Sequence, residues 1–122
     1  MKDHLDAYKE GWRRGDAEMI MGALADDFVY DDPLDRRFTK AEFAVYLEKL
    51  FASDEALGGD EGFEAITEEI VQEQDDEVIA WAWFRTAKEE GAALVKAGPD
   101  GVRLERLAYY RTTALTPRSQ GR

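Results

Sequence analysis

The sequence contains no cysteine, a single histidine and three prolines among 122 residues. Without thiols there is no disulfide framework, no thiolate zinc site and no cysteine nucleophile. His4 stands near the charged start of the chain and reads as a surface residue; one histidine builds neither a two-histidine metal site nor a serine triad. Positive charge is scarce: 16 Lys and Arg against 27 Asp and Glu give a formal net charge of −11. Such a surface repels phosphate backbones and anionic lipid, so no nucleic acid and no membrane is expected as a partner, and neutral or cationic small molecules fit better. Long apolar runs are missing too: none approaches the roughly 18 residues that a membrane span needs. Charges occupy Met1–Asp6, where a signal peptide would carry apolar residues, so the expected location is cytoplasmic. No glycine-rich phosphate loop is present, and neither a cofactor nor a metal is implied.

What is present suits one globular domain of the α+β class, over residues 1–115, followed by a tail, 116–122, with the look of a disordered segment. Leu5, Tyr8 and Trp12 recur at helical spacing, and Gly15 is placed to end that helix. Asp16 then caps a second helix carrying Ile20, Ala23 and Leu24 inward to about Asp26–Asp27. Phe28 to Asp32 reads as a short strand stopped by Pro33, and Asp35–Arg37 as a polar connection. Thr39 and Glu42 form a capping box for a third helix with the apolar stripe Phe43, Tyr46, Leu47, Leu50 and Phe51. An acidic, glycine-rich loop over 53–62 follows.

Beyond it the period becomes strand-like: Phe63–Gln72, Val78–Ala87, Ala92–Ala97 and Val102–Thr113, with turns at Asp75–Asp76, Lys88–Gly91 and Gly98–Gly101. In the second of these, Ile79, Trp81 and Trp83 share one face and Val78, Ala80, Ala82 and Phe84 the other. Both faces are apolar, which predicts cover on both sides. Leu107–Tyr110 breaks alternation and predicts a bulge. Successive strands joined by short turns predict an antiparallel sheet with the helices on one face.

Gly15-Asp16, Leu24-Ala25-Asp26-Asp27-Phe28 and Asp32-Pro33 resemble the opening of ketosteroid-isomerase-like, SnoaL-like members of the nuclear-transport-factor-2-like superfamily. Gly98-Pro99-Asp100-Gly101 and Arg106-Leu107-Ala108 resemble the C-terminal hairpin of that family, and the likeness extends over about Leu5 to Thr113. The resemblance implies a cone-shaped, curved antiparallel sheet wrapping three helices around an apolar pocket, with a homodimer formed through the sheet. It also implies roles. Asp32 before Pro33 matches the proton-moving aspartate of the isomerase branch, and Tyr8, eight residues before Asp16, matches its hydrogen-bond donor. The second donor of that branch, a protonated aspartic acid, would fall in Ala92–Val95, which holds no carboxylate. Arg85 and Arg103-x-Glu105 are loose echoes of the Asp-Arg-Asp arrangement in limonene-epoxide-hydrolase-like relatives.

Enolising a carbonyl compound requires a base for the C–H and a donor for the enolate oxygen. Asp32 and Tyr8 supply one of each, although Asp32 equally suits a turn before proline and Tyr8 a core aromatic. Trp12, Leu24, Tyr46, Trp81, Trp83 and Tyr109 are the candidate walls of a pocket for a hydrophobic small molecule. Three functions stay open on this reading: a cofactor-free isomerase, cyclase or lyase; a non-catalytic binding module for an apolar ligand; and a dimerising structural domain.

Overall fold

The structure, a computed structural model, describes residues 1–52, 65–86 and 89–112. The 53–62 loop, the Lys88 end of the predicted turn and the 116–122 tail lie wholly or partly outside the described residues. Helix α1 (Lys2–Arg14) buries Leu5, Tyr8, Gly11 and Trp12 along one face, as their spacing requires. It ends at Gly15, whose φ of 66° and ψ of 36° lie in the left-handed region that favours glycine. Asp16 caps α2 (Ala17–Gly22) by accepting the Met19 N–H on Oδ1 at 3.1 Å.

Helix α2 is shorter than its sequence suggests. The chain leaves it at Gly22 and enters strand β1 (Leu24–Asp31), so Leu24 belongs to the sheet and not to a helix. The cause is a distant partner. Leu24 pairs with Val102, and the Val102 N–H donates to the Ala23 carbonyl at 2.8 Å. A second departure follows Pro33: a tight turn returns the chain as β2 (Arg37–Thr39), which puts Phe38 opposite Tyr30 where a bare connection was expected. Helix α3 (Lys40–Ala52) starts on the expected capping box. The Thr39 N–H donates to Glu42 Oε1 at 2.9 Å, and the Glu42 N–H donates to Thr39 Oγ1 at 3.3 Å.

Strands β3 (Ala65–Glu73), β4 (Val78–Arg85), β5 (Glu89–Gly98) and β6 (Gly101–Thr112) complete one sheet in the order β2-β1-β6-β5-β4-β3. Every pairing is antiparallel except β1 with β6, which is parallel. Strand β5 begins three residues before the expected Ala92, because the Glu89 N–H bonds Thr86 Oγ1 and closes the β4–β5 turn earlier. Between antiparallel strands, register shifts fall at Val71, Arg103 and Tyr110, the last being the predicted bulge. Each adds a residue to one strand and bends it, and the sheet curves around the helices without closing.

The core lies between the concave face of the sheet and the helices. Phe28, Tyr30 and Phe43 meet there, with Phe43 ring centroids 5.1 Å from Phe28 and 4.6 Å from Tyr30. The convex face is different. Trp81 and Trp83 are 37% and 44% exposed and Tyr110 is 61% exposed, so β4 is covered on one side only in this chain. Among the described residues no helix is long and apolar enough to cross a membrane.

Candidate functional site

The pairing register explains why a hollow forms over the concave face. Inward positions at the centre of the sheet carry small side chains: Gly91 opposite Phe84 and Tyr109, and Ala93 opposite Ala82 and Leu107. Larger groups stand around them, and α1 lays Tyr8 and Trp12 across the top. The result is a largely apolar cleft with about 570 Å³ of empty space, counting the solvent at its mouth. Gly91 is required for this shape: a Cβ there would stand 2.4 Å from the Ala108 carbonyl oxygen and 2.9 Å from Phe84 Cζ. Phe84 uses the room to pack edge-on against Tyr109, with centroids 6.0 Å apart.

Two phenol–carboxylate pairs supply the polar groups. The Tyr8 hydroxyl donates to Glu105 Oε1, joining α1 to β6 in the wall of the cleft. Glu105 is buried, and its carboxyl is pushed up from 4.5 to about 7. Loss of hydration is the main cause; the Tyr8 hydrogen bond opposes it, and the nearby Asp32 charge adds to it. In the second pair the Tyr109 hydroxyl donates to Asp32 Oδ2 at 3.3 Å. Asp32 is also buried, and its Oδ1 accepts the Leu34 N–H at 2.9 Å. Burial raises the hydroxyls of Tyr8, Tyr30 and Tyr109 well above the ordinary phenol range, so all three stay protonated. Lys9 and Glu68 also line the cleft, and burial raises the Glu68 carboxyl while Lys9 pulls it down. Among the described residues no three His, Asp or Glu side chains are grouped as metal ligands would be.

The structure separates the residues that the sequence singled out. Tyr8, Trp12 and Tyr109 face the cleft. Asp32 is not part of the cleft lining; it bonds the hydroxyl of Tyr109, which is. Tyr46 lies a layer away, against Tyr30 at 5.8 Å and Phe38 at 4.8 Å, and Leu24 is core beside the β5–β6 hairpin. Trp81 and Trp83 point from the convex face, because β4 alternates and the cleft takes Ala82 and Phe84. Glu105, which the sequence offers only as part of the loose Arg103-x-Glu105 echo, is the carboxylate that lines the cleft. Its signal was present: Glu105, Leu107 and Tyr109 share one face of a strand at period two, which puts a carboxylate in line with an aromatic of the wall.

The solved structure of a candidate polyketide cyclase from Xanthomonas campestris is 18% identical over 87% of each chain, with a TM-score of 0.64. A candidate calcium/calmodulin-dependent protein kinase type II association domain from Thiobacillus denitrificans is 16% identical over 90% of this chain and 94% of its own, with a TM-score of 0.67. A nuclear-transport-factor-2-like protein from Burkholderia xenovorans is 13% identical over 99% and 91%, at a TM-score of 0.63. At such identities the likeness is one of fold. No curated protein matches the sequence. The sequence model of the SnoaL-like domain, however, matches residues 5–114, from α1 through β6. The chain therefore belongs to the SnoaL-like domain family.

Proposed function

We propose that the chain binds a hydrophobic carbonyl compound in the cleft and enolises it by acid–base chemistry without a cofactor, as an isomerase, cyclase or lyase. The observation that supports this reading is the convergence of two buried phenol–carboxylate pairs, Tyr8 with Glu105 and Tyr109 with Asp32, on one apolar hollow. A carboxylate in such a place is a stronger base than in water, and a phenol hydrogen bond there is stronger as well. Tyr8 is the donor for the developing enolate oxygen, and the base belongs to the two carboxylates, Asp32 and Glu105. The name of the Xanthomonas neighbour accords with this chemistry, since ring closure of a polyketone begins with an enolate. The reading is tested by a panel of apolar ketones, assayed for binding and for deuterium uptake from heavy water. Uptake above the buffer rate that Tyr8→Phe reduces supports it; binding with no uptake by any ketone rejects the enzyme in favour of a binding module.

The homodimer belongs to this proposal too. Trp81, Trp83 and Tyr110 form an exposed aromatic row on the convex face, with centroids 6.4 and 5.9 Å apart. A second copy of the chain seated there would take this row out of water.

A further inference from the structure

We propose that Glu105, on β6, is the group that takes and returns the substrate proton, and that Asp32 is a positioning residue acting through Tyr109. This assignment rests on the acid–base function proposed above. Three geometric facts carry it. Glu105 lines the cleft, whereas Asp32 does not and bonds the Tyr109 hydroxyl that does. Both Asp32 oxygens are engaged, one by the Leu34 N–H and one by the Tyr109 hydroxyl. Glu105 uses Oε1 for Tyr8, and among the described residues no donor is bonded to Oε2.

The chemistry then balances without a co-reactant. Glu105 Oε2 takes a proton from the carbon beside the carbonyl, and the C–H electron pair moves into the enolate, whose charge comes to rest on oxygen. As Glu105 becomes neutral it is a weaker acceptor, while the enolate oxygen becomes a stronger one. The Tyr8 hydrogen bond shifts from Glu105 to the enolate and so follows the negative charge. Binding that strengthens only as the transition state forms is what accelerates a reaction. Return of the proton from Glu105 to carbon completes the cycle.

The charged and titratable groups around Glu105 are Tyr8 and Lys9 from α1, Tyr30 from β1 and Asp32 just beyond it, Glu68 from β3 and Tyr109 from its own strand. Of these, the Asp32 charge raises the Glu105 carboxyl, so neutralising Asp32 lowers it.

The test uses 2-tetralone, an apolar ketone with acidic C–H bonds, and 2-naphthol, a stable analogue of its enol. Deuterium uptake by 2-tetralone is followed by proton NMR with the wild-type chain, Glu105→Gln and Asp32→Asn. Glu105→Gln loses roughly 100-fold or more of the catalysed rate. Asp32→Asn keeps most of the rate and moves the midpoint of its pH profile to lower pH, a shift that a purely structural role would not produce. Binding provides the control for folding. Glu105→Gln carries the neutral group of the enolate state and keeps the Tyr8 hydroxyl, so it still binds 2-naphthol, which shows that the variant is folded. Uptake that survives Glu105→Gln and disappears in Asp32→Asn overturns the assignment and leaves the function standing. Wild-type chain that binds either compound but gives no uptake, or binds neither, overturns the function and the assignment with it.

Discussion

Replacing Glu105 by glutamine has a consequence for stability whose size follows from the structure. The carboxyl titrates at about 7 in the folded chain and at 4.5 in its ordinary surroundings. Between those values the folded chain holds a proton that the unfolded chain has released. Stability therefore falls as pH rises through this window, and levels out above about 7. A displacement of about 2.5 pH units at 1.36 kcal/mol each is about 3 kcal/mol. Glutamine has the same shape, can accept the same Tyr8 hydrogen bond and does not ionise. The difference in unfolding free energy, Glu105→Gln minus wild type, is expected to grow by about 3 kcal/mol from about pH 4.5 to about pH 8. Urea unfolding of both proteins across that range measures it, because the other carboxylates titrate in each and largely cancel. A difference that stays constant with pH would mean that Glu105 is hydrated like a surface carboxylate, and the description of the cleft would fail.

Three further outcomes are expected. Phe43→Ala removes a wholly buried ring between Phe28 and Tyr30 and should cost about 3–5 kcal/mol in chemical denaturation. Gly91→Ala forces a methyl group against the Ala108 carbonyl and Phe84, and should cost about 1–3 kcal/mol while weakening 2-naphthol binding, read by calorimetry. Trp83→Glu alters an exposed position on the convex face, so it should change stability by less than about 0.5 kcal/mol. Sedimentation is expected to find wild type dimeric, as proposed, and the variant monomeric; an unchanged dimer would move the interface elsewhere.

Much of the fold was legible because its signals are local. The spacing of Leu5, Tyr8 and Trp12, the left-handed Gly15 and the Thr39–Glu42 capping box each specify their own turn of chain. The misread parts depend on partners far away in sequence. Leu24 fits a helix face until Val102 arrives to pair with it, and Arg37–Thr39 becomes a strand only because β1 lies alongside. Trp81 and Trp83 have the alternation of a buried strand, but alternation does not say which face meets the helices. In the cleft, the likeness to a known branch led to Tyr8 and Asp32, and it also drew the search for a second acid to Ala92–Val95. The acid that bonds Tyr8 is Glu105, on the next strand, opposite Val95 in the register.

The cleft that holds Tyr8 and Glu105 is the proposed ligand site. A crystal structure of the chain with 2-naphthol tests it most directly. The naphthol oxygen is expected within hydrogen-bond reach of the Tyr8 hydroxyl and the Glu105 carboxyl, with the rings against Phe84 and Leu107. Naphthol stacked on Trp81 and Trp83 instead, or a cleft closed by its own side chains, would contradict it.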